Sequence, residues 1–173
     1  MKIVNFEFKA RINDEQRVRE ALRRLKARSI GTDHQIDTYF QVPSGRLKVR
    51  EGRIENALIF YRRNNARRAR QSAVEMMLLP RRNSLRAILG RALATLAVVD
   101  KRREIYFVKN VKIHLDRVRQ LGKFLEVEAI SRRGNVKKIR SQARRFQQLF
   151  GITAKDIVAE SYSDLILAKS PKS

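Results

Sequence analysis

Several segments of the chain alternate apolar and charged residues, which predicts β-strands that each have one charged face. Residues 5–11 place Phe6 and Phe8 on one face, and Glu7 and Lys9 on the other. The same pattern recurs in residues 46–50, 101–103, 112–116 and 124–128. A strand has a period of two when its faces meet different surroundings. Because the basic strands are grouped and the carboxylates lie in strands near the two ends of the chain, the pattern indicates a charged cavity that holds an anion and a metal.

Eight strands and four helices are predicted. The strands are expected at residues 2–11, 36–42, 45–51, 56–63, 70–79, 98–108, 110–116 and 123–130. Residue types that favour helix N-caps precede three stretches of helical apolar spacing, at Asn13 or Asp14, Asn83 and Asn135. A short fourth helix is expected after Thr153. Gly45 lies in the turn between the second and third strands, where glycine can take a positive φ.

These elements predict a single α+β domain over residues 1–169, followed by a disordered tail from Ser170 to Ser173. Antiparallel hairpins with one charged face allow two architectures. One is an open sheet with water on its charged face. The other is a closed eight-stranded antiparallel barrel, with charges inside and helices packed outside. Cations facing each other inside a barrel would repel, so the barrel predicts a bound polyanion.

The chain has no cysteine and only two histidines, which limits the metals it could hold. A thiolate site is excluded and zinc is disfavoured. A metal held by carboxylates is expected to be Mg²⁺ or Mn²⁺.

The net charge is +23, from 40 Lys and Arg against 17 Asp and Glu. Such a chain attracts polyanions, and Arg62 to Arg70 reads as a basic loop between strands. Residues 87–99 form the most apolar stretch, but they are interrupted by Arg91 and too short to cross a bilayer. With no apolar run that resembles a signal peptide, we expect a cytoplasmic protein without membrane contact, as a monomer or homodimer.

Ordered motifs along nearly the whole chain carry a family resemblance. They are Asn5-Phe6-Glu7-Phe8-Lys9, Asp37-Thr38-Tyr39-Phe40, Gly45 to Glu51, Leu58 to Arg63, Val99 to Tyr106, Ile113 to Asp116, Leu121 to Glu128 and Ser161 to Leu165. With this set the chain resembles the CYTH proteins, or triphosphate tunnel metalloenzymes, and looks closest to the class IV adenylyl cyclase-like branch. The resemblance implies an eight-stranded tunnel that holds a triphosphate and divalent cations.

Site residues follow from the resemblance position by position. The cations that would bind phosphate are Lys9, Lys48, Arg50, Lys101, Arg103 and either Arg62 or Arg63, since only one of the last two can face inward. The carboxylates that would hold metal are Glu7, Glu126 and Glu128, with Asp116 beside them. Glu7, Lys9, Glu126 and Glu128 are then the candidate catalytic residues.

The two histidines, Lys112 and Asn5 are also considered. His114 shares a strand face with Lys112 and Asp116, so both His114 and Lys112 are candidates for phosphate contact. His34 is expected in a solvated loop. Asn5 stands where the family has its first glutamate, so it brings no negative charge and should weaken metal binding.

The expected function is a metal-dependent enzyme that acts on ATP or inorganic triphosphate, as an adenylyl cyclase-like protein or a triphosphatase. The alternative is a non-catalytic protein on the same scaffold that binds triphosphate, polyphosphate or RNA. Nonspecific binding of nucleic acid or polyphosphate would use exposed arginines, among them Arg81 and Arg82. An enzyme instead requires Glu7, Glu126 and Glu128.

Overall fold

The computed structural model describes residues 2–62, 70–131 and 135–169. It contains eight strands: β1 Lys2–Arg11, β2 Arg28–Phe40, β3 Arg46–Glu51, β4 Ala57–Arg62, β5 Arg70–Leu78, β6 Thr95–Val108, β7 Val111–Val118 and β8 Gly122–Ser131. Its four helices are α1 Glu15–Arg24, α2 Leu85–Ala92, α3 Val136–Leu149 and α4 Tyr162–Lys169. Arg63, most of the predicted basic loop and the tail from Ser170 lie outside the described residues.

The strands close into a ring in the order β1-β5-β4-β3-β2-β6-β7-β8, and every neighbouring pair is antiparallel. Every strand therefore has two hydrogen-bonded neighbours, and the ring has no open edge. This confirms the closed eight-stranded barrel. Alternation along the strands directs one set of side chains into the interior of the barrel and the other set outwards.

Helices α1 and α3 pack on the apolar outer face of the barrel. Val18 and Leu22 of α1 and Ile139 and Phe146 of α3 share a buried core with outward residues of β1, β7 and β8, such as Phe8. The Asp14 carboxylate accepts a hydrogen bond from the Arg17 N–H at 3.0 Å, and Asn135 accepts one from Lys138 N–H at 3.1 Å. These are the capping contacts that the sequence predicts.

Helix α4 begins later than the sequence predicts. Residues 153–158 do not form a helix, because Val158 N–H donates to Lys9 C=O and Arg11 N–H donates to Asp156 C=O. The segment is thus held along β1. The helix starts at Tyr162, where the Ser161 hydroxyl accepts from Asp164 N–H and the Asp164 carboxylate accepts from Ser161 N–H. This reciprocal pair of hydrogen bonds caps the N-terminus of α4.

Strand β2 is also longer than predicted, since it starts at Arg28 rather than at residue 36. It pairs with β6 along nearly its full length, from Arg28 opposite Phe107 to Phe40 opposite Thr95, with an irregularity near Gly31. Long-range pairing overrides the weak local pattern here. His34 is consequently an exposed strand residue whose ring contacts Asp100 at 2.7 Å, and its expected loop position is wrong.

Among the described residues, no helix is both long enough and apolar enough to span a membrane.

Two glycines provide a matched stability test. Gly45 has φ +73°, and a Cβ there would lie 2.7 Å from the Phe60 ring and 3.1 Å from the Tyr61 carbonyl oxygen. Gly90 lies inside α2 with open space around its Cα. We predict that Gly45→Ala lowers the free energy of unfolding by about 1–3 kcal/mol. Gly90→Ala should raise it by about 0.5–1 kcal/mol. Urea unfolding of both variants measures this, and an unchanged midpoint for Gly45→Ala would contradict the turn assignment.

Candidate active site

The barrel contains a cavity of about 110 Å³ that opens to solvent and is lined by side chains from all eight strands. Most of the site residues predicted from the sequence meet here: Glu7, Lys9, Lys48, Arg50, Lys101, Arg103, Lys112, His114, Glu126 and Glu128. Strand alternation brings them together, because each occupies the inward parity of its strand.

Asp37 occupies the centre of the strongest charge cluster. Its carboxylate accepts from Lys101 Nζ at 2.6 Å, from Lys48 Nζ at 2.8 Å and from Arg50 Nε and Nη2 at 2.8 and 2.9 Å. Burial alone would raise the pKa of Asp37, but the three cations hold it well below its usual value. Burial lowers the pKa of Lys101 to about 7, although Asp37 opposes that shift.

Sequence reasoning missed Asp37 as a site residue, although it included the Asp37 motif in the resemblance. A usable signal was present, since Asp37 and Tyr39 have the same parity on a strand that pairs with β3. In the register, Asp37 lies directly opposite Arg50 and Tyr39 directly opposite Lys48.

Arg103 joins a second buried network with Asp116. Its guanidinium donates to both Asp116 oxygens, at 2.7 and 2.5 Å, and to Glu126 Oε2 at 2.7 Å. The Tyr162 hydroxyl also donates to Asp116, at 2.7 Å. The Asp116 carboxylate is therefore already engaged by Arg103 and Tyr162, and in this geometry it orients the arginine.

Three side chains form a cluster suited to a metal. His114, Glu126 and Glu128 each present one ligand atom, and these atoms lie within 4.8 Å of one another. His114 Nδ1 is 3.4 Å from Glu126 Oε2 and 3.8 Å from Glu128 Oε1. Neither buried ring nitrogen of His114 has a hydrogen-bond partner among the described residues. Glu7 lies directly opposite Glu128 in the β1–β8 register, which brings a third carboxylate to this part of the wall.

The protonation of this cluster favours a cation. Burial lowers the pKa of His114 to about 4, so the ring is neutral and has a free lone pair at pH 7. Burial, reinforced by the neighbouring Glu126, raises the pKa of Glu128 to about 7. A divalent ion would neutralise these crowded carboxylates and use the unpaired imidazole nitrogen. The residues present therefore fit a metal, and His114 is a ligand candidate that sequence reasoning had considered only for phosphate.

The two remaining predicted lysines, Lys9 and Lys112, contact different parts of the chain. Lys9 donates to the Glu160 carbonyl oxygen and lies 4.4 Å from the centre of the Tyr162 ring. Lys112 donates to Glu55, whose carboxylate also accepts from Arg50 Nη1 at 2.9 Å. Glu55 was not predicted as a site residue, because it lies in the loop between β3 and β4, where strand alternation does not indicate which side chains face inward.

That loop is fixed by a buried aspartate. The Asp33 carboxylate accepts the backbone N–H groups of Arg53, Ile54 and Glu55 at 2.7 to 3.1 Å. Asp33 itself is fully buried. Glu55 is thereby held against Arg50 and Lys112.

Arg62 lies apart from the cavity. It is exposed, and its guanidinium donates to the Ser44 hydroxyl at 3.3 Å. Its neighbour Tyr61 occupies the inward position on β4.

Internal carboxylates balance the cations of the cavity. Among the residues that the structure describes, six lysines and arginines line it. Six carboxylates line it or contact those cations: Glu7, Asp37, Glu55, Asp116, Glu126 and Glu128. The expected repulsion is therefore relieved by the chain itself, and closure of the barrel does not require a bound polyanion. The positive charge of the protein must reside mainly outside the cavity.

The CYTH domain family model matches residues 4–162. The chain belongs to the CYTH domain family. This confirms the resemblance, and it places the chain in a metal-dependent family that processes triphosphates. No curated protein matches the chain in sequence.

Solved structures with this CYTH fold are similar over nearly the whole chain. The PH1012 protein from Pyrococcus horikoshii OT3 is 24% identical with a TM-score of 0.80, and the match covers 93% of this chain and 98% of that one. A candidate adenylate cyclase from Vibrio parahaemolyticus is 17% identical with a TM-score of 0.76, covering 94% and 97%. HpAC1 from Hippeastrum, a candidate adenylyl cyclase with a dominant triphosphatase activity, is 13% identical with a TM-score of 0.63, covering 96% and 95%. At these identities the likeness shows the fold.

The Asp37 cluster of this CYTH domain generates a stability prediction. Asp37→Asn leaves three buried cations without their counter-ion and should lower the free energy of unfolding by about 3–5 kcal/mol at pH 7. Because the folded-state pKa of Asp37 lies below its unfolded value, its contribution is present at neutral pH and is lost as the pH falls through the acid range. The difference between variant and wild type should therefore shrink in acid.

Asp100→Asn is the matched control, because Asp100 pairs with the exposed His34. It should change stability by less than about 0.5 kcal/mol. Added pyrophosphate should stabilise Asp37→Asn more than wild type, since it can replace the lost charge. Chemical denaturation measures all three effects, and equal losses in the two variants would show that Asp37 does not hold the cluster together.

Proposed function

We propose that the protein is a metal-dependent enzyme that binds a triphosphate in the barrel cavity and cleaves or cyclises it. One observation carries this proposal: a wall of buried cations and a cluster of His114, Glu126 and Glu128 share one cavity. The strand register joins the two, because Glu126 lies opposite Lys9 on one side and His114 on the other. A phosphate chain held by the cations would thus lie beside the metal ligands.

The cations supply binding and charge stabilisation. A triphosphate carries roughly four negative charges, and phosphoryl transfer depends mainly on positioning and on stabilising the charge on phosphate oxygens. Arg50 and Arg103 offer forked donors, while Lys9, Lys48 and Lys101 act as point charges. The pairing of these side chains with carboxylates holds them in place before the substrate arrives.

Mg²⁺ or Mn²⁺ fits the cluster of His114, Glu126 and Glu128, with Glu7 nearby. When bound, such an ion would polarise a phosphoryl oxygen and lower the pKa of the attacking group. An imidazole among the ligands favours Mn²⁺ over Mg²⁺, since Mg²⁺ takes oxygen ligands almost exclusively. Asn5 Nδ2 donates to Glu7 Oε2 at 3.3 Å, so Asn5 orients the only described β1 carboxylate in the cavity.

The reaction also requires that the attacking group lose a proton, which a cavity carboxylate not bound to the ion would accept. The proton would come from a water molecule in a triphosphatase. In a cyclase it would come from the ribose hydroxyl that attacks the α-phosphorus while pyrophosphate leaves.

A product assay tests the proposal. With Mn²⁺ or Mg²⁺, we expect turnover of a triphosphate, its loss on chelation, and a decrease on the order of 100-fold in Glu126→Gln. Glu20→Gln makes the same chemical change on the exposed face of α1 and should leave turnover unchanged. Cyclic AMP with pyrophosphate identifies a cyclase, and orthophosphate identifies a phosphohydrolase. Full activity in Glu126→Gln would overturn the metal assignment.

A non-catalytic triphosphate-binding protein is the alternative on the same cavity, and Asn5 is the observation that favours it. Asn5 removes one negative charge from the metal side of the barrel. If wild type binds triphosphate without turnover and Asn5→Glu gains turnover, the alternative holds.

The charge distribution supports a second candidate, which is binding of nucleic acid or polyphosphate on the outer surface. Residues 129–155 contain no Asp or Glu. Within this stretch, α3 exposes five cations: Lys137, Lys138, Arg140, Arg144 and Arg145. Because the cavity is balanced internally, this surface can attract a polyanion independently of catalysis.

Charge reversal tests the surface. Lys137→Glu with Lys138→Glu should weaken binding of a labelled single-stranded RNA and flatten its salt dependence. Arg81→Glu with Arg82→Glu changes the net charge equally at the exposed arginines first considered for this binding. It should have a smaller effect, because these two residues lie outside the stretch 129–155 that contains no Asp or Glu. Equal losses in both variants would mean that net charge alone drives binding.

A further inference from the structure

One wall of the cavity is uncharged over its described positions. Strands β4 and β5 direct Ile59, Tyr61, Val74 and Met76 into the interior. Ser72 of β5 and Asn5 of β1 extend this surface. The six residues, which we call the neutral wall, lie on the adjacent strands β4, β5 and β1, whereas Glu7 and Lys9 farther along β1 and the remaining strands carry the cations and carboxylates described above.

The neutral wall borders directly on a phosphate-binding side chain. Ile59 lies opposite Lys48 in the register of β3 and β4. Lys48 Nζ lies 5.9 Å from the centre of the Tyr61 ring. A ligand whose phosphate contacts Lys48 would therefore place its next group against Tyr61.

The apolar side chains of the neutral wall disfavour contact with a fully charged ligand. Inorganic triphosphate is charged along its whole length, and pressing a charged oxygen against apolar side chains removes water without replacing it. An uncharged organic group instead gains from burial against the same surface. Because Lys48 stands at its border, a cationic group would also be repelled.

Two unpartnered polar atoms give an independent indication. Asn5 Oδ1 and Ser72 Oγ are buried and have no hydrogen-bond partner among the described residues. They belong to residues that lie directly opposite each other in the β1–β5 register. The side chains are 3% and 1% exposed, so they are placed to be satisfied by a ligand in the cavity. Asn5 Oδ1 can only accept, which calls for a donor such as an amino or hydroxyl group.

We infer that the neutral wall holds the uncharged organic group of a triphosphate ester, so the cavity selects a nucleoside triphosphate over inorganic triphosphate. The inference rests on the proposed function, because it assumes that the cations opposite bind the phosphates. The apolar side chains supply the surface for a flat heterocycle, and Asn5 with Ser72 supplies neutral hydrogen bonds. Specificity of this kind resides in the site and is separate from the fold.

Met76 and Met77 offer a matched test, since they are neighbours on β5 whose side chains point to opposite faces of the barrel wall. Met76 lines the cavity, and Met77 is 53% exposed on the outside. We would measure dissociation constants of ATP and of inorganic triphosphate by calorimetry, and kcat/KM where turnover occurs. The wild type should prefer ATP by at least about tenfold. Met76→Lys should reduce or reverse this preference by about tenfold, because the new cation replaces apolar surface. Met77→Lys should leave the preference unchanged.

The binding and turnover measurements separate this inference from the proposed function. Absence of turnover with either compound overturns the proposed enzyme, while tighter binding of ATP would still support the neutral wall. Equal or tighter binding of inorganic triphosphate to wild type overturns the inference. Equal effects of Met76→Lys and Met77→Lys on the preference also overturn it, because only Met76 faces the ligand.

Discussion

The contact of one buried carboxylate with three cations underlies the rest of this barrel. Asp37 is 1% exposed and binds Lys48, Arg50 and Lys101, which come from two different strands. Without an internal anion, these cations could not share a desolvated space. The pairing of Arg103 with Asp116, between the adjacent strands β6 and β7, solves the same problem next to this cluster. Closure of the ring and the positioning of the cavity cations thus depend on one electrostatic arrangement.

This arrangement divides the molecule into zones with different chemistry. Internal carboxylates balance the cavity, so a ligand must compete for cations that are already held in position. The charge around His114 is not balanced in this way, because a neutral imidazole lies beside Glu126 and Glu128. This arrangement is suited to a divalent ion. The neutral wall completes the cavity and the exterior carries the excess positive charge. The ligand that we propose, a triphosphate with a divalent ion, would contact the cations and the His114 cluster together.

Period-two alternation predicted the strands and the inward side chains because it is a local property of the chain. It placed Lys9, Lys48 and Glu126 in one cavity correctly. It could not show that Asp37 would bind three cations, or that Asp116 would be engaged by Arg103, because those contacts depend on strand order around the ring. Glu55 lies in a loop, where side chains do not alternate between two faces, so its inward position could not be predicted. The long β2–β6 pairing likewise follows from tertiary contacts that override weak local preference.

Pulsed electron paramagnetic resonance of bound Mn²⁺, with a non-hydrolysable triphosphate analogue present, detects the atoms that lie beside the ion. The chain has two histidines, so directly coordinated nitrogen can be traced to one residue. If His114 binds the metal beside the triphosphate, nitrogen and phosphorus couplings to the same ion are both expected. The nitrogen coupling should survive His34→Ala and vanish in His114→Ala. Bound Mn²⁺ that shows phosphorus coupling without nitrogen, or nitrogen coupling that survives His114→Ala, would contradict the metal site. No phosphorus coupling would contradict a triphosphate held beside the metal.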